Sequence, residues 1–486
     1  MSPTVSRTEP RAARVAADSR VSVDAPVSPL AVRIDTYGPA LVALYFLATT
    51  RWGSYVLPGP PYVGDVMLMG LLANRALLLA TGRRASGGRD ALLALLAAGL
   101  ISWTLVRLSF GTLGTDAARD AAPYLYAVIA FLVVPLNAAQ ERHLSRWITL
   151  ALVAHATWVT VAWAVGGPER FPPLPSGDDG GAVRVFTIRG DIDTLACGLL
   201  AAISLHRTLA GRAPLVNLLL TGWALVLVVG ALDARGGLLA VLMALFVVLL
   251  LGPARARARG GERLAPVALR PRRGGLAAVA VLIVALPVGM YVARDAPVVR
   301  SLPLGFNPNA DYRFVDSNGA ATARARLNSW RRVADWVSSD PGRVVAGTGL
   351  GPNYFVESGA GRLLSARNRE EVRSPHNAWL NTWARLGLLG LALFVGIWAA
   401  GIRLGVMVAS RSPKIRDTDV LTILLVVAVP IVASFGVVLE SPFGAIPYFW
   451  ALGYLSVRAC QLGALRTFSS VMSGRRAAPG VRSLSR

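Results

Sequence analysis

Apolar residues run along this chain in long, uninterrupted stretches, not in the one-faced or alternating patterns of soluble domains. Such stretches lie near 38–57, 62–81, 91–106, 121–137, 147–165, 192–206, 215–232, 236–251, 275–293, 377–401, 418–439 and 443–458. A helix needs about 20 apolar residues to cross a bilayer. The pattern therefore predicts an all-α polytopic membrane protein with about twelve transmembrane helices. Several stretches are shorter than that, so their ends must draw on flanking residues. The longest interruption, 294–376, is predicted as one large extracytoplasmic loop. Inside it, Ala323 to Val337 carries Leu327, Trp330, Val333, Ala334 and Val337 at helical spacing, which predicts an amphipathic helix. Asp340-Pro341 should stop that helix, and Gly347 to Phe355 forms a glycine-rich turn. The expected organisation is a tail at 1–36, a transmembrane bundle at 37–293, the loop at 294–376, transmembrane helices at 377–458 and a second tail at 459–486.

Composition agrees with this pattern. The chain of 486 residues is 54% hydrophobic and only 16% charged, with mean hydropathy +0.52; a soluble domain carries about 25% charged residues. The first 36 residues are polar and rich in Pro, Ser and Ala, and predict a disordered cytoplasmic tail rather than a cleavable signal. Net charge is +23, almost all arginine, with Lys414 the one lysine. The arginines are scattered between spans, which argues against nucleic acid as a partner. With the N-terminus inside, the short cytoplasmic loops carry 18 Lys or Arg and the short outer loops 7. That asymmetry predicts both termini inside, with the Arg255–Arg273 block as the strongest inside marker. The multi-pass chain is thus expected in a bacterial cytoplasmic membrane, against membrane lipids. Cys197 and Cys460 both fall in apolar runs and lack metal-ligand spacing. No metal and no cofactor are expected.

Candidate chemistry gathers at the outer face. In S-P-H-N-A-W-L-N-T-W-A-R-L-G-L-L-G (Ser374–Gly390), Ser374 is expected as N-cap and Pro375 as the first helical residue. His376 and Asn377 would then sit in the first turn, where the dipole attracts anions and keeps imidazole neutral. Spacings of four put Asn377, Asn381 and Arg385 on one stripe. Gly387 and Gly390 permit close approach of a neighbouring helix. A plain helix cap with an interfacial histidine is the structural alternative. Arg235 tips a very short outer hairpin, with Asp233 as a structural partner in the bland case. Arg184 and Arg189 precede another span. Guanidinium binds phosphate oxygens as a bidentate fork, so these arginines with a neutral histidine suit an anionic lipid substrate. Arginines would hold a pyrophosphate leaving group, and histidine would take a proton from an incoming hydroxyl. A permease or flippase is the competing class; it predicts ionisable residues deep in several spans, whereas here Asp65, Arg75 and Arg385 are the exceptions.

Four segments in order, R-V-F-T-I-R-G-D-I-D-T-L-A (Arg184–Ala196), D-A-R-G-G-L-L-A (Asp233–Ala240), the loop helix with its glycine turn, and the His376 segment, resemble the O-antigen ligase and Wzy-type polymerase superfamily over roughly 180–400. The resemblance implies a C-type glycosyltransferase-like architecture and a metal-independent transferase of polysaccharide biosynthesis in the cell envelope. Its donor would be a glycan linked to a polyprenyl diphosphate such as undecaprenyl diphosphate, and its acceptor a glycolipid or glycan. Ligase and polymerase activities are not separated by these motifs. Family roles carried over make Arg184 and Arg235 diphosphate ligands and His376 the acceptor-activating base; the expected catalytic residues are thus His376, Arg235 and Arg184, and the expected substrate-binding residues Arg184, Arg189, Arg235, Arg326, Asn377 and Arg385. Asp193 stands where asparagine is usual, Ala234 replaces a serine, and Arg385 stands where many members have glutamate.

Overall fold

A computed structural model of the chain describes residues 88–111, 114–133, 135–136, 138–165, 174–175, 182–183, 190–232, 234–251, 317–363 and 373–464, with Met69 and Ala73 besides. The expected spans near 38–57, 62–81 and 275–293, the Arg255–Arg273 block, Arg184, Arg189, Asp233 and the first tail lie outside these residues. The protein is helical. The helices are α1 (Ala91–Ser109), α2 (Thr115–Leu125), α3 (Ile129–Leu132), α4 (Ala138–Ala164), α5 (Gly190–Leu209), α6 (Pro214–Gly230), α7 (Arg235–Leu251), α8 (Ser317–Ser338), α9 (Pro341–Ala346), α10 (Tyr354–Glu357), α11 (Ala378–Arg411), α12 (Asp417–Ala433) and α13 (Pro442–Gln461). Single 3₁₀ turns stand at Tyr126–Val128, Ala360–Leu363 and Val438–Glu440. Strands β1 (Leu174–Pro175) and β2 (Ala182–Val183) pair antiparallel over two residues each.

Among the described residues, four helices are long and apolar enough to cross a membrane: Ala91–Ser109, Gln140–Ala164, Gly190–Leu209 and Ala378–Arg411. Pro214–Gly230 and Gly236–Leu251 are shorter apolar helices. The stretch expected as a span at 121–137 is built differently. Helix α2, the Tyr126–Val128 turn and α3 follow one another there. Pro123 inside α2 has no N–H for the helix ladder, and Asp116 and Asp120 make α2 too polar for hydrocarbon. The span expected at 377–401 runs on to Arg411.

Helix α5 lies at the centre, buried on nearly every side from Ile192 to Ser204, and packs against α4, α6, α7 and α12. Large apolar side chains face outward instead: Leu95 is 61% and Leu219 64% exposed. A leucine exterior around a packed interior suits lipid, where apolar surface has no water to avoid. A second, smaller core joins the loop helix to α11. Val333 and Val337 of α8 bury with Tyr354, Phe355, Ala360 and Ala384, and Trp336, Leu380 and Trp383 flank them. The amphipathic face read from the sequence is the face that docks.

One end of the bundle is tied by ion pairs. Asp417 accepts from Arg207 Nε at 2.9 Å and Arg212 Nη1 at 2.9 Å. Asp419 accepts from Arg458 Nε at 3.2 Å and from the Tyr454 hydroxyl at 3.0 Å. Arg416 pairs with Glu141, and Arg403 with Asp90. These contacts join α1, α4, α5, α11, α12 and α13 at one end and leave the other end to the loop.

Candidate functional site

At that other end the start of α11 is set by Asn377. Its side-chain oxygen accepts the Trp379 N–H at 3.1 Å and the Leu380 N–H at 3.0 Å, so Asn377 is the N-cap and Ala378 the first helical residue. The helix thus begins three residues after the place that Ser374-Pro375 predicts. His376 explains the delay. Its φ of +56° is left-handed, incompatible with a helical first turn and costly for a residue with a Cβ. The His376 N–H donates to Ser374 Oγ at 3.1 Å, and Nδ1 lies 3.3 Å from the Ser374 carbonyl oxygen. A carbonyl can only accept, so this contact assigns the proton to Nδ1 and leaves the Nε2 lone pair open. Above the segment, Trp330 Nε1–H donates to the Pro375 carbonyl at 2.6 Å.

The histidine is half-buried. Burial, and after it the Arg326 guanidinium, holds its pKa below the ordinary histidine value; the Ser374 carbonyl and Asp191 pull the other way. The neutral form expected from a helix dipole is therefore favoured by burial and a neighbouring cation. Arg326 of α8 donates through Nη1 to the Phe435 carbonyl at 3.2 Å, and the Trp330 and Phe435 rings stand 6.4 Å apart.

The Phe435-Gly436 turn collects the remaining pieces. A Cβ at Gly236 would stand 2.8 Å from Phe435 Cβ, and a Cβ at Gly436 would stand 2.8 Å from an Asp191 carboxylate oxygen. Only glycines allow the first turns of α5 and α7 to close onto this turn. Arg235, the first residue of α7, is thereby brought at its backbone to the same end as Arg326 and His376. Below them an apolar pocket lies between α4, α5, α12 and α13, lined by Leu152, Ile192, Leu195, Val429 and Val438, with His155 in its wall. His155 Nε2 meets Asp193 Oδ1 at 2.8 Å, so the carboxylate at the position usually held by asparagine is paired with a histidine.

Arg385 and Asn381, from the expected polar stripe, face inward. Arg385 is 2% exposed. Its Nη1 donates to Asp120 Oδ2 at 2.5 Å, its Nε to Asn381 Oδ1 at 3.2 Å and its Nη2 to the Arg373 carbonyl at 3.2 Å. Tyr354 donates its hydroxyl to Asn381 Oδ1 at 2.6 Å. Arg373 adds a second cation on Asp120 at 2.9 Å. The structure thus separates the expected substrate-binding residues: it gathers His376, Arg326 and the backbone of Arg235, commits the Asn377 side-chain oxygen to a helix cap, and buries Arg385 against Asp120.

Gly387 makes the junction with the loop. Its φ of +68° and ψ of −169° kink α11, and a Cβ there would stand 2.1 Å from the Val345 carbonyl oxygen. The carbonyls released by the kink are taken up at once. Thr348 N–H donates to Ala384 O at 2.7 Å, Gly349 N–H to Arg385 O at 3.0 Å, and Trp103 Nε1–H to Leu386 O at 2.8 Å. Close approach at Gly387 is to this loop, while Gly390 lies against its own helix's Leu386 side chain.

Asp120, Asp191, Phe435 and Glu440 were not singled out from the sequence. An ionisable residue between two apolar runs was the available signal for Glu440. Among the described residues, no three His, Cys, Asp or Glu side chains gather as metal ligands would. A family model described as O-antigen ligase matches residues 220–395, from within α6 to within α11, so the match takes in Arg235, Arg326 and His376. No curated protein matches the chain.

Proposed function

This chain belongs to the O-antigen ligase superfamily of membrane glycan enzymes, and we propose that it transfers a glycan from a polyprenyl-diphosphate carrier to a glycolipid acceptor at the outer face of the cytoplasmic membrane. The observation that carries the reading is His376: neutral by burial, with its proton on Nδ1 and its Nε2 open, beside Arg326 and the first turn of α7. In the proposed step, Nε2 takes the proton of an acceptor hydroxyl. The hydroxyl oxygen attacks the anomeric carbon of the donor, the bond from that carbon to the diphosphate oxygen breaks, and the diphosphate leaves on its carrier. Arg184 and Arg235 hold the diphosphate and stabilise its developing charge.

The test is transfer by purified protein in detergent, with no ion gradient and with polyprenyl-diphosphate glycan as donor. General-base help is worth about 10²- to 10⁴-fold, so His376→Gln should lose that much while still binding donor. Activity should fall as pH drops through the His376 pKa, below the ordinary histidine value. Arg235→Ala should cost about ten- to a hundredfold, the worth of a charge-assisted hydrogen bond, and lysine should restore only part because it lacks the fork. An active His376→Gln enzyme with an unchanged acid limb overturns the base assignment. Efficient use of a second carrier-linked unit as acceptor, in place of a glycolipid, would make the enzyme a polymerase.

A further inference from the structure

Helix α2 carries Asp116 and Asp120 four residues apart, hence on one face. Asp120 is buried, and a buried carboxylate must be paired. Its Oδ2 takes three donors from three parts of the chain: Arg373 Nη2 at 2.9 Å, Arg385 Nη1 at 2.5 Å and the Gly351 N–H at 3.0 Å. Arg373 Nη2 also donates to the Gly351 carbonyl at 2.5 Å, and its Nη1 to Asp116 at 3.0 Å. Arg385 reaches back to the same residue, its Nη2 donating to the Arg373 carbonyl at 3.2 Å. One acid thus ties together the glycine turn, helix α11 and the segment that leads into α11.

That segment carries His376 three residues after Arg373. From Arg373 to Asn377 the chain is neither helix nor strand, so no backbone ladder holds it. The contacts between His376 and Ser374 fix its internal shape but not its place in the fold. Its place is set from outside at three points. Trp330 of α8 donates to the Pro375 carbonyl at 2.6 Å, and Asn377 caps α11. The third point is Arg373, on the entering side of the segment, held by its side chain on Asp120 and by its carbonyl on Arg385. A left-handed residue such as His376 persists only where its surroundings over-determine it. Helix α2 supplies that constraint on the side that Trp330 and the cap leave open.

We propose that Asp120, acting through Arg373, is a positioning residue for His376: the ion pair pins the entry of the histidine segment to α2 and the glycine turn, and so fixes where the open Nε2 stands. The role in transfer rests on the reading of His376 as the base; the role in holding the histidine does not. Arginine suits the task because its planar fork meets Asp116, Asp120 and the Gly351 carbonyl at once, where lysine offers a single point charge. A catalytic group misplaced by about 1 Å can lose about 10²-fold in rate. A residue that only positions such a group changes kcat and leaves donor binding alone.

Two readouts on the full-length protein in detergent test this. The first needs no substrate: site-resolved modification of His376 by diethyl pyrocarbonate at one alkaline pH, with exposed His143 as internal control. Arg373→Ala leaves the pair of Asp120 with Arg385 in place, so the chain should still fold. Its His376 should react about two- to tenfold faster, as loss of one net hydrogen bond allows, with His143 unchanged. Arg373→Lys should fall between that variant and wild type. Asp120→Asn should also speed the reaction, and in that background Arg373→Ala should add nothing further, because the contact it removes is already broken. His376 reacting as in wild type in Arg373→Ala, or effects that add in the double variant, overturns the proposal, whatever the transfer assay gives. The second readout is glycan transfer. Arg373→Ala should lower kcat about ten- to a hundredfold with the donor KM unchanged. A raised donor KM at unchanged kcat would make Arg373 a donor ligand and overturn its positioning role. A wild-type protein without transfer activity sinks the transferase reading, while the modification experiment still decides the role of Asp120 and Arg373.

Discussion

At the end of the bundle around Asp417, each of Asp90, Glu141, Asp417 and Asp419 meets at least one arginine, whereas around His376 the ionisable groups lean on hydroxyls and carbonyls. The physics of the two arrangements differs. Charges taken out of water must be paired, or the desolvation cost is left standing. The Asp417 end meets that demand fully and so fixes the register of six helices. Among the described residues, the His376 end leaves an imidazole nitrogen open and a carboxylate oxygen without a donor. The contrast also divides the His376 end itself. Asp120 accepts from Arg373, Arg385 and the Gly351 N–H, yet Glu440 Oε1 is buried with no donor among the described residues. Among the described residues, the acids of the Asp417 end are paired with arginines, and Glu440 at the His376 end keeps a buried oxygen without a donor.

The sharpest way to break this comparison is to unsaturate the frame. Arg385→Ala leaves a buried Asp120 with Arg373 and the Gly351 N–H but without its closest cation, so the loss should fall at or below about 3–5 kcal/mol, the cost of removing one partner of a buried pair. Thermal unfolding in detergent should show that loss, and Asp120→Ala in the same chain should recover part of it. A stable Arg385→Ala protein with weakened donor binding would move Arg385 from the frame to the substrate. Gly387→Ala comes next. Only glycine holds that backbone conformation without strain of about 1–3 kcal/mol, and the new methyl would press on the Val345 carbonyl. The expected outcome is a lower unfolding temperature together with faster proteolysis of the Gly347–Phe355 turn, whose anchor is the kink. Unchanged proteolysis would mean that the turn is held by other contacts.

How much of this was legible in the sequence follows from the range of each interaction. The helices and the docking face of α8 rest on periodicity, which Val333 and Val337 display locally. Helix α7 begins at Arg235 because the hairpin before it is short and polar. The start of α11 misled because Ser-Pro is a strong local start signal, and the left-handed His376 that overrides it is fixed by Trp330 and Ser374 contacts. The kink at Gly387 was hidden in a run that suits an uninterrupted helix. Asp120 and Arg385 are partners across 265 positions, and neither neighbourhood names the other. Arg184 and Arg189 remain expectations from their motif.

The smallest effect tests where helix α11 ends and the site begins. Asn377 was expected among the substrate-binding residues, and its side-chain oxygen caps α11 through the Trp379 and Leu380 N–H groups. Losing such a cap costs about 1 kcal/mol, so Asn377→Ala should lower the unfolding temperature modestly. Serine and aspartate also cap, and aspartate adds a favourable charge at the positive end of the helix. If the cap is the whole role, Asn377→Ser and Asn377→Asp should keep both stability and transfer. A donor contact predicts the opposite split: serine lacks the amide donor, and aspartate would repel a diphosphate, so transfer would fall in both variants at unchanged stability. That result would extend the open, chemical part of the His376 end by one residue into the helix that frames it.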